Sequence, residues 1–352
     1  MVGAEIARQL VRDALERRKI AAATDESYSS SFSLYIACPS HLRDQADELV
    51  KDLQEYGETP SQSKNSRSIK IVSVSFDTFG GKERVRASAQ GVCDAIKKSN
   101  SSSTQPTVSA KQLTGVVFNP YGAGSDNEGV PRPDSRLLEI AELKVVGNNI
   151  LLEILMEEGL IREGSRVVYS TSEAARGLPK MGIPVPVLSK TKESFVSHLD
   201  GTAYSKPYQW EHPYAYCSQI NVLYMMAMAS KHRKIYFSSI SPGMTQESFN
   251  TDNVPSPTIV FRAKMFAYLY LMFPLLQRWE IAQDYRKAAK LFISCLLSKE
   301  EWEFQQSGTF VAAKSGTGGP VCDQTELEAG KVFCDRELQD LAYNTIREYY
   351  II

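Results

Sequence analysis

Residues Tyr214 to His232, YAYCSQINVLYMMAMASKH, are predicted to form a helix whose first turn carries two tyrosines. A tyrosine hydroxyl can transfer a proton, but a pKa of about 10 is too high for easy cycling near neutrality. A positive charge ~4 Å away at an effective dielectric of ~20 would favour the phenolate by roughly 4 kcal/mol, or about three pKa units. A lysine four residues after Tyr214 would share its helical face, but that residue is Ser218. The charge must therefore come from elsewhere if Tyr214 transfers protons.

Small and polar residues follow four predicted strands at corresponding places. They are Asp77 after IKIVSVSF, Asn119 and Gly122 after LTGVVF, Ser172 after RVVYST, and Pro242, Gly243 and Thr245 after KIYFSSIS. These residue types are common in turns, so any one of them alone indicates no more than a turn. In an open parallel sheet, however, ligands bind at the carboxyl ends of the strands, where the winding reverses. Together, the four strand ends predict a binding site for a flat cofactor.

Segments with helical periodicity alternate with short β-rich runs along the chain. Helices are predicted over 4–18, 41–56, 82–98, 135–160, 214–232, 259–298 and 335–349, and strands over FSLYIAC, IKIVSVSF, LTGVVFN, RVVYST, KIYFSSIS and TFVAA. This alternation predicts an α/β fold with a doubly wound, mostly parallel sheet and helices on both faces. Residues 1–352 are predicted to form one domain, with an insert over 178–213 and a helical region over 245–300.

Composition and charge argue against several classes of function. The chain has 40 basic and 41 acidic residues and a net charge of -1, so no overall field attracts nucleic acid. Its six cysteines form no CxxC pair and no histidine lies at metal-ligand spacing, so we expect reduced thiols in a cytosol-like compartment and no metal site. The first residues are amphipathic and charged, unlike a signal peptide. The longest apolar stretch, 266–276, is too short to span a bilayer.

The motifs resemble those of the short-chain dehydrogenase/reductase superfamily, in order over nearly the whole chain. FNPYG is similar to the family's Asn-Asn-Ala-Gly turn, RVVYSTSEAARG to its serine-bearing strand, LKVVGNNILLEILM to its central helix, YAYCS to its Tyr-x-x-x-Lys motif, and ISPGMT to its Pro-Gly turn. The resemblance implies a Rossmann-like fold and an NADP or NAD cofactor. It also implies oxidation or reduction of a small-molecule alcohol or carbonyl.

The resemblance further implies a role for each matching residue. Ser172 would polarise the substrate carbonyl, and Tyr214 would pass the proton. The cofactor would be bound by Asp77 at its adenine, by Asn119 and Gly122 along its length, and by Pro242, Gly243 and Thr245 at its nicotinamide end.

The sequence departs from the family pattern in its catalytic residues. Ser218 replaces the motif lysine, and Lys144 stands where the central helix would carry the asparagine of Asn-x-x-Gly, if Gly147 is that glycine. Lys144 either supplies the missing charge from a neighbouring helix or is a solvated or snorkelling lysine, which is the simpler interpretation.

A further departure concerns the start of the fold. Gly3 matches the last glycine of the family's glycine-rich turn, but the strand before that turn is missing. That strand would be central in the order 3-2-1-4-5. Without it, the two strands beside it would keep unpaired backbone groups, and each buried unpaired group costs about 1 to 3 kcal/mol of stability. Three explanations are open: the sequence is an incomplete translation of a longer protein, another segment fills the gap, or the sheet is split. We favour the first.

Cofactor and substrate are less sharply defined. No acidic residue ends the strand FSLYIAC, which favours NADP over NAD, and Arg43 is interpreted as a surface residue. Apolar residues in 178–213 predict a lid, and those in 245–300 predict a second cover. Two apolar covers indicate a bulky lipophilic substrate and contact with a membrane surface.

Two kinds of function are consistent with these observations. The first is a nicotinamide-dependent reductase or dehydrogenase that uses Ser172 and Tyr214. The second is a catalytically inactive relative that serves as a cofactor sensor or as a structural subunit of a larger assembly. A homodimer face or ordinary core would explain the apolar residues Leu151, Leu152, Leu155, Met156, Leu223, Met226 and Met228.

Overall fold

The computed structural model describes residues 2–23, 33–38, 42–57, 70–78, 80–101, 112–120, 131–245, 272–279, 281–297 and 306–351. In these ranges, seven strands form two sheets. The first sheet is a parallel pair, β1 (Ser33–Cys38) and β2 (Lys70–Ser75). The second has the order β3-β4-β5-β6-β7, with β3 (Gly115–Phe118), β4 (Arg166–Ser170), β5 (Tyr236–Ile240), β6 (Thr309–Ser315) and β7 (Gly318–Asp323). Its first four strands are parallel, and β7 runs antiparallel to β6.

Helices precede or follow most of the strands. They are α1 (Val2–Ala23), α2 (Arg43–Gly57), α3 (Lys82–Ser101), α4 (Gly147–Glu157), α5 (Lys192–Leu199), α6 (Glu211–Lys231), α7 (Phe273–Arg278), α8 (Tyr285–Leu297) and α9 (Arg336–Ile346). A short helix, Glu139–Ala141, and a π-helical turn, Glu142–Val146, lead into α4. A 3₁₀ helix, Glu173–Arg176, follows β4.

The helices form a layer on each face of the sheets. Successive side chains of a strand point to opposite faces, so apolar side chains on both faces are covered by helices. In β4, Val167 and Tyr169 pack in a cluster with α3, α4, α6 and α9. Val168 points the other way and packs with α1 and α8. The predicted α/β architecture, a mostly parallel sheet between two helical layers, is confirmed.

The two sheets are separate in the described part of the chain. β1 and β3 each pair with one described strand, and their residues are mostly half-buried or exposed, whereas all of β5 is buried. Helix α1 packs against both sheets: Ile6 shares a cluster with Val117 of β3, and Val11 shares one with Ile36 of β1. In the described residues the sheet is divided between β1 and β3, the place that the missing strand would occupy.

Two elements differ from the prediction, and a third is described only in part. β7 begins with Gly-Gly-Pro, a composition typical of turns, and was not expected as a strand. The predicted insert contains α5, whose Phe195 and Leu199 are fully buried in the main core. The helical region predicted over 259–298 contains α7 and α8 in its described part, and 259–271 lies outside the described residues.

The apolar residues that were candidates for a dimer face belong to the core. Leu151, Leu152, Leu155, Leu223, Met226 and Met228 are buried, and Met156 is half-buried. Helix α9 packs along α6, where the rings of Tyr224 and Tyr343 stack with centroids 5.9 Å apart. This packing leaves the six buried side chains inside the molecule.

Candidate active site

Tyr214 lies in the first turn of α6, as predicted, and its side chain is half-buried. Its ring packs against a small apolar cluster formed by Ala174, Leu178, Ile183 and Ala215. Trp210, one helical turn earlier, meets the ring edge to face, with centroids 5.7 Å apart and planes at 73°. Tyr214 is therefore held by the segment after β4 and by its own helix.

Lys144 reaches the same tyrosine from the π-helical turn before α4. Its Nζ lies 4.5 Å from the centroid of the Tyr214 ring, and the residue is only 7% exposed. The low exposure contradicts the interpretation of Lys144 as a solvated lysine. Lys144 forms none of the ion pairs found in the described ranges, so its charge is not neutralised there by a carboxylate.

Packing around the π-helical turn holds Lys144 in place. The hydroxyl of Tyr169 donates a hydrogen bond of 2.7 Å to Lys144 O. A Cβ at Gly147 would lie 2.9 Å from Thr78 Cβ, so only glycine allows this close approach. π-Helical turns widen the helix locally and are frequent at functional sites. The turn explains how a residue on the central helix presents its ammonium group to α6.

Ser218, which replaces the motif lysine, lies inside the protein. It is 2% exposed, and its Oγ has no hydrogen-bond partner among the described residues. Its neighbour Cys217 has its pKa raised to about 12 by burial, an effect that the positive charge of Lys144 opposes. That charge therefore acts on this turn of α6 from the neighbouring helix.

Ser172 follows β4 and caps the helix Glu173–Arg176. Its Oγ accepts a hydrogen bond of 3.2 Å from Ala174 N, which leaves the hydroxyl hydrogen available to a ligand. Ala174 belongs to the cluster on which the Tyr214 ring packs. The capped helix and the start of α6 thus lie against each other.

The turn after β5 is tightly packed. Gly243 has φ +72°, and a Cβ there would lie 2.5 Å from Thr317 O. Met244 N donates to Thr317 O at 2.9 Å, and Gln283 N donates to Met244 O at 2.8 Å. Pro242 is half-buried and Thr245 is 3% exposed. The β6–β7 hairpin and the segment before α8 therefore fix the turn.

Gly3 and Asn119 are brought together at the carboxyl end of β3. A Cβ at Gly3 would lie 3.2 Å from Asn119 Nδ2, so the start of α1 closely approaches this strand end. Asp77 follows β2 in the other sheet. Its carboxylate lies 3.6 Å from Arg84 Nη2, and its backbone amide donates to Ser88 Oγ at 2.8 Å. These contacts are with α3 and include no other predicted site residue. Gly122 lies outside the described residues.

Glu173 is a site neighbour that was not singled out from the sequence, and Trp210, which was predicted only as an apolar residue of the lid, contacts Tyr214. Trp210 lies four residues before Tyr214, a spacing that places both on one helical face and could have indicated the contact. The burial of Glu173 depends on the side chains of other strands, so no sequence signal reveals it. In the described ranges, no helix has the length and apolarity needed to cross a membrane, and no cluster of side chains is suited to a metal ion.

No family model and no curated protein sequence matches the chain. Solved structures do match it. L-sorbose reductase from Gluconobacter frateurii, complexed with NADPH and L-sorbose, aligns with a TM-score of 0.50 at 14% identity, covering 90% of this chain and 92% of that one. The reductase LugOII, which catalyses keto-reduction at C1 during lugdunomycin biosynthesis, aligns with a TM-score of 0.51 at 14% identity, covering 90% and 93%. An uncharacterised protein from Mycobacterium paratuberculosis gives 0.50 at 11% identity, covering 91% and 94%. The chain has the fold of the short-chain dehydrogenases/reductases.

Proposed function

We propose that this protein is an NADP(H)-dependent oxidoreductase that interconverts a carbonyl and an alcohol, with Lys144 in place of the motif lysine. The observation that carries the proposal is the position of Lys144 Nζ, 4.5 Å from the centre of the Tyr214 ring. A unit charge at ~4 Å and an effective dielectric of ~20 is worth roughly 4 kcal/mol. The sign of this interaction favours the negative charge that forms on the tyrosine oxygen when its proton leaves, although the 4.5 Å contact is with the ring centre and not with that oxygen.

Three side chains divide the chemistry. The hydroxyl of Ser172 donates a hydrogen bond to the substrate oxygen, and Tyr214 transfers a proton to that oxygen. Lys144 stabilises Tyr214 after the transfer. Bound NADPH would supply the hydride.

The residues at the strand ends fit a nicotinamide dinucleotide. The side chain of Asn119 lies beside Gly3 at the start of α1, whose amides favour an anion, and the Gly243 turn is held in place by its packing against Thr317. We assign Asn119 and Gly122 to positions along the cofactor, Pro242, Gly243 and Thr245 to its nicotinamide end, and Asp77 to its adenine. NADPH bound to a neighbour of this fold, the sorbose reductase, supports NADP as the first cofactor to test.

A bulky lipophilic substrate fits the distribution of apolar surface. In the described ranges, the large hydrophobic side chains that are exposed lie in two segments only: Met181, Val185, Val187 and Trp210 in the first, and Met272, Leu275, Trp279 and Ile281 in the second. The first segment adjoins Tyr214 through Trp210. The second adjoins the Gly243 turn, because Thr317 Oγ1 donates to Ile281 O at 2.7 Å. Both flank the reacting groups, and the same surface would contact a membrane.

The predicted insert is suited to hold such a substrate in place. Gln219 Nε2 donates to Pro186 O at 3.2 Å and so anchors the loop that carries Val185 and Val187. An anchored apolar loop loses little conformational entropy when it binds a ligand. Residues 178–213 and the described part of 245–300 are therefore assigned as two covers of one site in a single domain.

Fluorescence titration with NADPH, followed by a panel of ketones that ranges from acetone to polycyclic aromatic ketones, tests this proposal. We expect binding below millimolar cofactor and faster reduction of the larger apolar ketones. Tyr214→Phe should bind NADPH normally and reduce ketones about 100-fold or more slowly, as expected for the loss of a general acid. Absence of NADPH binding at millimolar concentration would refute the proposal.

The second candidate is a cofactor sensor without turnover. The observation that favours it is Ser218, which leaves α6 without a cation one turn after Tyr214. Cofactor binding without reduction of any ketone in the panel, in wild type and Tyr214→Phe alike, would support the sensor.

A further inference from the structure

Glu173 is a buried carboxyl that the proposed reaction does not use. It directly follows Ser172 and is 2% exposed. One of its oxygens accepts a hydrogen bond from Ser241 Oγ, just after β5, and the backbone amides of Glu173 itself and of Ala313 in β6 also act on the carboxyl. Burying a carboxyl is costly unless hydrogen bonds compensate for the lost water. Its presence between two strand ends therefore points to a role.

Ser241 connects Glu173 to the Gly243 turn. Its Oγ accepts a hydrogen bond of 3.2 Å from Gly243 N. A serine hydroxyl has a single hydrogen, and that hydrogen is donated to Glu173. The residue after Ser172 is thus joined through one side chain to the turn assigned to the nicotinamide.

A second connection runs through the β6–β7 hairpin. Arg176 Nη2 donates to Ala313 O at 3.1 Å and to Gly316 O at 3.0 Å. The next residue of that hairpin, Thr317, accepts from Met244 N at 2.9 Å. Both ends of the helix Glu173–Arg176 are therefore tied to the turn that contains Gly243.

We propose that Glu173 is a positioning residue that sets the separation between the Ser172 hydroxyl and the Gly243 turn. The inference rests on the proposed function, because the carbonyl held by Ser172 must meet the hydride donor held by the turn. Burial raises the pKa of Glu173, and the hydrogen bond from Ser241 and the charge of Arg176 oppose that shift. Either protonation state leaves an oxygen that can accept from Ser241.

The first test uses protein without cofactor. Glu173→Leu and Ser241→Ala each break the link, whereas Glu173→Gln keeps an acceptor oxygen. Hydrogen–deuterium exchange should show the Gly243 amide exchanging about tenfold faster or more in the first two variants and near the wild-type rate in the third. The control is Glu153→Leu, since Glu153 is another buried carboxylate, which accepts from Tyr224 Oη at 2.8 Å far along α6. Unchanged Gly243 exchange in Glu173→Leu and Ser241→Ala would overturn the link.

The second test measures the reaction. With NADPH deuterated at the transferred position, Glu173→Leu and Ser241→Ala should lower kcat about tenfold, or about 1.4 kcal/mol, and raise the isotope effect. Glu173→Gln should restore most of the rate. A merely structural role would lower only the unfolding temperature and leave kcat and the isotope effect of the folded protein unchanged, which would overturn the proposal. If wild-type protein binds no NADPH, the proposed function fails, while the exchange experiment still decides whether Glu173 controls the turn.

Discussion

The ring of Tyr214 meets a buried ammonium group from a neighbouring helix and an indole from its own helix. A Coulomb interaction depends on distance and on the intervening medium, so the segment that carries the charge is immaterial. Lys144 is 7% exposed, which weakens the screening that a lysine on an open helical face would experience. Under the proposed function, the charge that the motif lysine would supply from α6 comes instead from Lys144 on the neighbouring helix.

Lys144→Met tests this exchange at the scale of one residue. Loss of the charge should reduce kcat for ketone reduction about 100-fold, equivalent to about 2.7 kcal/mol, and Lys144→Arg should retain more activity than Lys144→Met. The matched control is Lys231→Met, because Lys231 Nζ lies 4.6 Å from the Tyr343 ring on the outer part of the molecule. Equal activity of Lys144→Met and wild type in steady-state assays would contradict the assigned role.

At the scale of an element, the turn after β5 depends on a residue without a side chain. Gly243→Ala introduces a Cβ at φ +72° and 2.5 Å from Thr317 O. Gly159→Ala is the matched control, since Gly159 has φ +66° and nothing within 4 Å of the new Cβ. The backbone strain of about 1 kcal/mol should be common to both, and the clash should add about 1 to 3 kcal/mol to Gly243→Ala only. Urea unfolding measures the difference, and NADPH affinity should fall in Gly243→Ala alone. Equal destabilisation by the two variants would show that the turn rearranges to accommodate the new methyl group.

The segment before α6 contains a histidine that makes stability depend on pH. His198 stacks on Tyr216 with centroids 3.7 Å apart, and its Nδ1 lies 3.1 Å from Tyr204 Oη. Burial lowers the pKa of His198 from 6.5 to about 4, although Asp200 opposes the shift. The unfolded chain therefore binds this proton first, so the contribution of His198 to stability is present above pH 6.5 and is lost as the pH falls towards 4.

His198→Gln should remove this pH dependence. Compared with wild type, the variant's free energy of unfolding should fall less steeply between pH 6.5 and pH 4 and should run parallel to it above that window. His212→Gln, at a partly exposed histidine in the first turn of α6, is the control. Chemical denaturation at several pH values measures the curves, and parallel curves throughout the acidic window would show that His198 is protonated equally in both states.

At the scale of the whole molecule, the sequence predicted the α/β fold because local periodicity specifies helices and strands, and their alternation specifies parallel crossovers. It could not predict the contact between Lys144 and Tyr214, since that contact depends on a π-helical turn and on the packing of two helices. Nor could it show that Leu223 and Met226 are core, because a helix more than 100 residues later covers them. Pairing and burial between distant segments are set by the assembled fold.

The division into two sheets predicts two levels of stability in one molecule. In the described part of the chain, β1 pairs with β2 alone and its residues are half-buried or exposed, whereas β5 is buried and lies between β4 and β6. A two-stranded sheet is marginally stable by itself, so β1 and β2 rely on packing against α1 and α2 on one face and against α3 on the other. Hydrogen–deuterium exchange should therefore be about 100-fold or more faster for the hydrogen-bonded amides of β1 than for those of β5. The β1 amides should exchange through local opening, and the β5 amides should require global unfolding.

β3 provides the control, because it also pairs with one described strand but belongs to the five-stranded sheet. If the amides of β3 are protected nearly as well as those of β5 and the amides of β1 much less, the smaller sheet opens as a unit of its own. Equal protection of β1 and β5 would show that the two sheets open together.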